Sequence, residues 1–174
     1  MNKELIMSHM RTVKDFPIEG ILFWDLTTVF KNAECLNELI DAFYEQYKDK
    51  GITKIVGIES RGFIIGAALA AKLNAGFVLA RKPGKLPAET LQESYAKEYG
   101  TDTLEIHKDA ITEDDVVLVH DDLLATGGTA AAVINLVGKF HPKKTYAGFI
   151  VGLKDLPGYD VIRAKTELTT LLDL

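Results

Sequence analysis

Several features that mark other classes of protein are missing from this 174-residue sequence. It has a single cysteine, Cys35, so no internal disulfide can form, which favours a reducing cytoplasm. No apolar run approaches the ~20 residues that a transmembrane helix needs. The N-terminal residues carry scattered charges and lack the apolar core of a signal peptide. We therefore expect a cytoplasmic protein with no membrane partner.

Basic runs and common nucleotide-binding fingerprints are also missing. The net charge is −5 and no segment is rich in Lys or Arg, which argues against nucleic acid as a partner. Neither G-x-x-x-x-G-K-[ST] nor G-x-G-x-x-G occurs. The four histidines share no metal-ligand spacing, and a second cysteine is lacking, so a structural zinc site is not expected.

The composition is that of an ordinary globular protein, with 47% apolar and 26% charged residues. A chain of this length buries about 70% of its unfolded surface. We therefore predict one domain over residues 1–174.

The most informative stretch is Val116–Thr129, VVLVHDDLLATGGT. Its first four residues are apolar and mostly β-branched, which predicts a buried strand. Two carboxylates follow, and then a turn of small and hydroxyl residues that leads into a helical run. Glycine allows the backbone to turn tightly, and the free N–H groups of a helix N-terminus suit a phosphate.

The acidic pair, Asp121 and Asp122, would repel a phosphate if it faced one. The two carboxylates make sense if they accept hydrogen bonds from sugar hydroxyls on the same ligand. Because α/β sheets bind ligands beyond the carboxyl ends of their strands, the stretch predicts a site for a sugar phosphate.

Two further strand ends carry polar or basic residues. The strand at 54–58 is followed by Glu59-Ser60-Arg61, which repeats the design of a strand, a short turn and a helix N-terminus. The strand at 76–80 is followed by three cations, Arg81, Lys82 and Lys85, in an otherwise acidic protein. Such a local positive patch is what a polyphosphate ligand requires.

Strands alternate with helices along the chain, which predicts an α/β fold with a mainly parallel sheet flanked by helices. The predicted helices and strands are the following: helices at 3–14 (weakly patterned), 33–48, 63–73 and 128–140; strands at 54–58, 76–80, 103–107, 116–119, 146–153, 159–162 and 168–172.

Two stretches are ambiguous by pattern alone. Residues 21–26 are apolar and bounded by turn residues, so they fit a short strand or core plug and equally a hydrophobic cover for a planar base. Residues 86–102 are polar without sustained periodicity, which is typical of a lid or a disordered connection.

The sequence VLVHDDLLATGGT closely resembles the phosphoribosyl-pyrophosphate motif of the type I phosphoribosyltransferases, and the DDLLATGGT form resembles the adenine-specific members. The resemblance covers roughly residues 15–153 and implies the type I fold with a small N-terminal hood, about residues 1–30. It also implies that Asp121 and Asp122 hold the ribose hydroxyls. The 5′-phosphate would lie on the loop formed by Ala125, Thr126, Gly127, Gly128 and Thr129.

Other segments resemble the same family. ESRGF resembles its pyrophosphate loop, in which the bond corresponding to Glu59–Ser60 is often cis, and ARKPGKLP resembles a second basic segment. By this match, pyrophosphate is bound by Ser60, Arg61, Arg81, Lys82 and Lys85. ESYAKEYG resembles the flexible catalytic lid, here about residues 86–102, in which Glu98 approaches the base as the catalytic residue and Tyr99 helps to close the site.

The hood segment FPIEGILFWD resembles that of the adenine enzymes. The match implies that Leu22, Phe23 and Leu123 bind adenine. The implied reaction joins adenine to phosphoribosyl pyrophosphate and gives AMP and pyrophosphate, as in purine salvage. The resemblance further implies Mg²⁺ held through the substrate with no direct protein ligand, and the apolar helix at 63–73 suggests a homodimer.

Two alternatives remain open at the level of sequence. One is a related transferase that uses another base, such as xanthine or hypoxanthine. The other is a non-catalytic regulator that binds phosphoribosyl pyrophosphate together with a partner or nucleic acid. A regulator should show a basic face and a degraded lid, and neither is evident in this chain.

Overall fold

A computed structural model describes residues 1–97 and 100–174 of the chain. The backbone divides into two compact units, residues 1–42 and residues 43–174. No helix in the described part of the chain is both long and apolar enough to cross a bilayer.

The first unit is the smaller of the two. It contains α1 (Lys3–His9), β1 (Arg11–Lys14), β2 (Leu22–Asp25), α2 (Thr27–Phe30) and the first part of α3 (Ala33–Tyr47). The strands β1 and β2 pair antiparallel, with Arg11 opposite Asp25. Asn2 caps α1, because its side-chain oxygen accepts a hydrogen bond from the Leu5 amide at 3.0 Å. The helix predicted over 3–14 ends at His9, and residues 11–14 form β1 instead.

The second unit contains the central sheet, the helices on its faces and a hairpin. Its remaining elements are β3 (Lys54–Ile58), α4 (Gly62–Leu73), β4 (Gly76–Ala80), β5 (Thr90–Lys97), β6 (Gly100–His107), β7 (Val116–Leu124), α5 (Gly128–Gly138), β8 (Lys144–Gly152), α6 (Gly158–Arg163) and β9 (Glu167–Asp173).

The central sheet is parallel, with strand order β4-β3-β7-β8-β9. The predicted α/β fold with a parallel sheet is thus confirmed. Because β7 lies in the middle, both of its edges are paired and both of its faces are covered, which explains its nearly continuous apolar sequence. Its carboxyl end is therefore held rigidly at the centre of the sheet.

Successive residues of the central strands point to opposite faces. On one face, Val117 and Val119 belong to a buried cluster that includes the apolar side of α5. On the other face, Leu118 and His120 are fully buried. Phe43 lies on this second face, because its ring meets that of His120 edge to face with 5.1 Å between centroids.

Two segments differ from the prediction. Residues 86–102 were expected to form a lid or a disordered connection. Most of this segment belongs to the antiparallel hairpin β5–β6, which rules out an irregular connection, while its role as a lid stays a prediction. Much of the hairpin is exposed, so its residues are mostly polar. The apolar alternation that indicates a strand is therefore not evident in the sequence. Residues 159–162 were expected to be a strand and instead lie in the helix α6. A four-residue apolar pattern cannot distinguish these two alternatives.

Candidate active site

A cavity of ≈ 220 Å³ opens at the carboxyl end of β7. It lies where the sequence predicted a ligand site, beyond the end of a central parallel strand. It is lined by Glu59, Asp121, Leu123, Leu124, Ala125, Thr126, Gly127, Gly128, Thr129 and Ala130. All five residues of the predicted phosphate loop, 125–129, therefore line one cavity together with Asp121 and Leu123.

The phosphate loop turns sharply into α5 at Gly127. This residue has φ +84°, a left-handed conformation that side-chain-bearing residues rarely adopt. The turn brings the first residues of α5 to the cavity wall, where helix geometry leaves backbone N–H groups without intrahelical acceptors. Thr126 and Thr129 line the same wall and add hydroxyl donors. Such an arrangement is suited to an anion.

The C-terminal segment supports this loop from behind. The Gly158 amide donates to the Ala125 carbonyl at 3.1 Å, and the Leu153 amide donates to the Leu124 carbonyl at 2.9 Å. A methyl group on Gly158 would lie only 2.3 Å from the Ala125 carbonyl oxygen. The loop conformation therefore depends on close backbone contact with the start of α6.

The two adjacent aspartates have different surroundings. Asp121 lines the cavity, and its Oδ1 accepts a hydrogen bond from the Asp122 amide at 2.9 Å. Asp122 points the opposite way, is 1% exposed and forms an ion pair in which 3.0 Å separates its Oδ2 from Nε of Arg61. The sequence predicted one role for both carboxylates, but the strand places only Asp121 against the cavity.

Both aspartates are held in a setting that disfavours their charge. Burial raises the pKa of Asp121 well above its usual value, and the negative charge of Asp122 raises it further. Burial also raises the pKa of Asp122, although the charge of Arg61 opposes that change. In the free protein the pair therefore favours a proton or a nearby cation.

The predicted pyrophosphate-binding residues are grouped around Glu59, at the end of β3. Arg81 Nη2 lies 3.2 Å from Glu59 Oε1, and the Lys82 amide donates to Glu59 Oε2 at 2.8 Å. Burial alone would raise the pKa of Glu59. The Lys82 amide, Arg81 and the charge of Lys85 outweigh burial, so the pKa is lowered and Glu59 is ionised.

The turn after β3 has the expected backbone. The Glu59–Ser60 peptide bond is cis, which confirms the expectation drawn from the family resemblance. Ser60 is exposed beside this bond, and Arg61 next to it is about one-third exposed. The structure thus brings Arg61, Arg81 and the cavity-lining Glu59 to one end of the sheet, as the parallel strands predicted.

Two residues of this region were missed by the sequence analysis. Glu59 organises the basic segment, and Tyr95 on β5 approaches the phosphate loop, with 3.0 Å between its Oη and Thr129 Oγ1. Glu59 could have been suspected from its place directly after a strand. No local signal identified Tyr95, because its contact depends on how the hairpin packs against α5.

The other predicted site residues lie in the first unit or outside the described residues. Leu22 and Phe23 belong to β2 in the first unit, where the Phe16 and Phe23 rings meet edge to face with 5.1 Å between centroids. Glu98 and Tyr99 lie outside the described residues. Within residues 1–97 and 100–174, no group of three His, Cys, Asp or Glu side chains is placed to hold a metal ion.

His120 immediately precedes the acidic pair but takes no part in the cavity. It is fully buried, and its Nδ1 donates to the Gly148 carbonyl at 2.9 Å. Burial lowers its pKa to about 4, although the bond to Gly148 opposes this. The ring is therefore neutral at neutral pH and fills space between β7 and Phe43.

Taken together, the cavity offers hydroxyls and helix N–H groups for a phosphate and a carboxylate for hydroxyl groups. Cations stand at the neighbouring strand ends. These groups are the partners of a phosphorylated sugar that carries a further anionic group. Among the described residues that line the cavity, no nucleophile is paired with a base, and the groups present are suited to binding and electrostatic stabilisation.

Comparisons with known proteins agree with this geometry. A model of the phosphoribosyl transferase domain matches residues 26–165. The sequence is 62% identical to the adenine phosphoribosyltransferase of Phocaeicola vulgatus over 100% of both chains. The solved structure of the Giardia lamblia APRTase complexed with 9-deazaadenine has a TM-score of 0.95 at 36% identity, with 100% of this chain and 98% of that chain covered.

A second solved structure is similar over nearly its whole length. It is the adenine phosphoribosyltransferase of Saccharomyces cerevisiae, complexed with an imino-altritol bisphosphate and adenine. It has a TM-score of 0.90 at 40% identity, and 97% of each chain is covered.

Proposed function

The chain belongs to the phosphoribosyl transferase family, and from this premise we propose that it is an adenine-specific member. The reaction transfers the 5-phosphoribosyl group of phosphoribosyl pyrophosphate to adenine and gives AMP and pyrophosphate. This reaction recovers a free purine base as a nucleotide. The choice of base is supported by relatives that cover 97–100% of this chain and are adenine phosphoribosyltransferases.

The single observation that carries the proposal is the cavity shared by Asp121 and the phosphate loop. A carboxylate that accepts hydrogen bonds from ribose hydroxyls stands beside a loop that donates to the 5′-phosphate. Both are fixed by the central strand β7 and by α5. The ligand is therefore gripped at two points that are rigid relative to each other.

The pyrophosphate group would lie toward Ser60, Arg61, Arg81, Lys82 and Lys85. In the free protein Arg61 is paired with Asp122 and Arg81 with Glu59. Each guanidinium has five N–H donors, so it can keep its carboxylate and still donate to a phosphoryl oxygen. The carboxylates would hold the two arginines in place for the leaving group.

The reaction needs no covalent nucleophile. Departure of pyrophosphate leaves positive charge on the ribose ring, so fields that are in place before the reaction lower the barrier. Asp121 favours that charge by proximity. Because an approaching cation lowers the pKa of a carboxylate, the ionised form of Asp121 is favoured as the reaction proceeds.

Adenine would be held by Leu22, Phe23 and Leu123. Leu123 lines the cavity two residues beyond Asp121, on the same face of the strand. The roles proposed for Leu22 and Phe23, and for Glu98 as the proton donor or acceptor at the purine and Tyr99 as a closing residue, rest on the family resemblance.

We also propose that Mg²⁺ accompanies the substrate. Glu59 and Asp121 place two carboxylates on the wall of a cavity that must accept an anion. A divalent cation bound to the substrate's oxygens offsets this repulsion, and Mg²⁺ prefers oxygen ligands and retains water. When bound, it neutralises charge on the pyrophosphate leaving group.

We further propose that the protein is a homodimer located in the cytoplasm. The lone cysteine, Cys35, is free and buried, as suits a reducing compartment. Two large apolar side chains of the second unit, Ile64 and Leu79, are 43% and 37% exposed. We expect sedimentation equilibrium at micromolar concentration to give twice the chain mass, and a monomer at that concentration would contradict the dimer.

The experiment that tests the function is a spectrophotometric assay of nucleotide formation with phosphoribosyl pyrophosphate and Mg²⁺. Adenine, hypoxanthine, guanine and xanthine are supplied in turn. We expect AMP from adenine and little product from the other bases. Faster turnover of another base would reassign the substrate. Binding of phosphoribosyl pyrophosphate without turnover of any base would instead support a regulator.

A further inference from the structure

The hairpin β5–β6 makes direct contact with the phosphate loop through one side chain. Tyr95 Oη lies 3.0 Å from Thr129 Oγ1, and a Cβ on Gly128 would lie 3.8 Å from the edge of the Tyr95 ring. The ring thus covers the start of α5 while its hydroxyl reaches the loop's last threonine.

A separate contact fixes β5 along the same helix. The Nζ atom of Lys139, just after α5, lies 2.7 Å from Glu93 Oε2, and Asn135 Nδ2 donates to Glu93 Oε1 at 3.3 Å. The hydrogen bond from Lys139 lowers the pKa of Glu93 below its usual value, because its effect outweighs that of burial. Because Glu93 and Tyr95 are two residues apart, they point to the same face of β5. The strand is therefore held against α5 at two points.

Which of the two hydroxyls, Tyr95 or Thr129, donates the hydrogen bond determines what Thr129 can offer to a ligand. A hydroxyl donates one hydrogen and can accept two. When Tyr95 donates to Thr129, the hydrogen of Thr129 is left to point into the cavity and to meet a phosphate oxygen. Donation along such a chain also polarises the second hydroxyl and strengthens its bond. The carboxylate of Asp102, 3.4 Å from Tyr95 Oη, is a competing but more distant acceptor.

We propose that Tyr95 is a positioning residue for the 5′-phosphate, acting through Thr129. The inference rests on the proposed function, because it assigns the phosphate of the transferred group to the loop. Tyr95 orients the hydroxyl of Thr129 and ties the hairpin to the occupied loop. It touches Thr129 and not the ligand itself.

The variant Tyr95→Phe removes the hydroxyl and keeps the ring over Gly128. Loss of one neutral hydrogen bond predicts that KM for phosphoribosyl pyrophosphate rises roughly three- to tenfold. KM for adenine should stay within twofold. Calorimetric titration with ribose 5-phosphate should show a similar loss of affinity, which provides a readout independent of turnover.

Ser94→Ala is the matched control. Ser94 is the preceding residue on β5, and its hydroxyl pairs at 2.8 Å with Thr103 on the exposed side of the hairpin. This variant also removes one hydroxyl from the same strand. We expect its KM for phosphoribosyl pyrophosphate to equal that of the unmodified protein. An equal loss in both variants would show that the hairpin is merely weakened, and would overturn the proposal.

A double-mutant cycle separates action through Thr129 from direct contact. On a Thr129→Ala background, Tyr95→Phe should have no further effect on ribose 5-phosphate affinity. On a Thr129→Ser background, which keeps the hydroxyl, the effect should return. A full effect of Tyr95→Phe on the alanine background would contradict the proposal. The unmodified protein is assayed alongside, so absence of transferase activity there would count against the proposed function alone.

Discussion

At the scale of single residues, two adjacent carboxylates have different surroundings because successive residues of a strand point to opposite faces. Asp121 lines the cavity, whereas Asp122 is buried beneath it and paired with Arg61. In the proposed reaction, the first would accept hydrogen bonds from ribose hydroxyls. The second holds the guanidinium of Arg61, which would bind pyrophosphate in the proposed reaction. The effects of replacing them should therefore differ in kind.

Replacement of Asp121 should separate activity from stability. Asp121→Asn removes a charge-assisted acceptor worth about 1.5–3 kcal/mol, so kcat/KM should fall by about 10- to 150-fold. Its raised pKa shows that its charge is disfavoured in the fold, and the amide oxygen can still accept from the Asp122 amide. The free energy of unfolding should consequently not fall. Steady-state kinetics and urea denaturation measure the two quantities.

Asp114→Asn supplies the control for this prediction. Asp114 is an exposed carboxylate in the turn before β7, outside the cavity-lining residues. Its replacement changes the net charge by the same amount. Turnover of Asp121→Asn equal to that of Asp114→Asn would remove Asp121 from the proposed site.

At the scale of elements, the phosphate loop is set between two helices. It leads into α5 on one side, and on the other the start of α6 lies against its backbone. Gly158 makes that approach possible, since any side chain there would collide with the Ala125 carbonyl. The C-terminal segment therefore helps to fix the conformation of the phosphate loop.

Substitution at Gly158 should impair phosphate binding before it impairs adenine binding. The added methyl of Gly158→Ala meets backbone, which cannot move aside cheaply, so forcing it in costs about 1–3 kcal/mol. We expect KM for phosphoribosyl pyrophosphate to rise and the melting temperature to fall. Gly138→Ala, in the last turn of α5 with open space around its Cβ position, should leave KM unchanged and should not lower the melting temperature. Equal kinetics in the two variants would contradict the role of Gly158.

At the scale of the whole molecule, pH acts on stability through groups that titrate differently in the folded and unfolded states. His120 is such a group, because burial lowers its pKa from 6.5 to about 4. Between these values the unfolded chain binds a proton that the folded chain does not. Stability therefore falls as pH decreases from 6.5 toward 4. Asp121 and Asp122, whose pKa values are raised, act in the opposite direction.

The variant His120→Val isolates this contribution. At 1.36 kcal/mol per unit of pKa change, the folded state loses about 3 kcal/mol through His120 across that range. The difference in unfolding free energy between the unmodified protein and the variant should shrink by that amount as the pH is lowered. Any cavity left by valine adds a constant that does not depend on pH. Urea denaturation at pH 4.5, 5.5, 6.5 and 7.5 measures the change, and parallel profiles would refute it.

The sequence by itself determined the parallel sheet and the place of the cavity. Apolar strands at 54–58 and 116–119, each followed by a polar turn and a helix, are local patterns that specify such a fold. The carboxyl ends of parallel strands must meet at one edge, so the phosphate loop and the basic segments were expected there. The residue types at 121–129 also predicted the chemistry of the site, because they match the groups of a sugar phosphate.

Only the tertiary structure decided which face each carboxylate takes, that Glu59 holds Arg81, and that Tyr95 reaches Thr129. It also decided that residues 90–107 pair as a hairpin and that residues 158–163 form a helix against the phosphate loop. The physical reason is that these features depend on contacts between residues distant in sequence. A local pattern records what a segment can bury, but not which distant backbone, charge or hydroxyl it will meet.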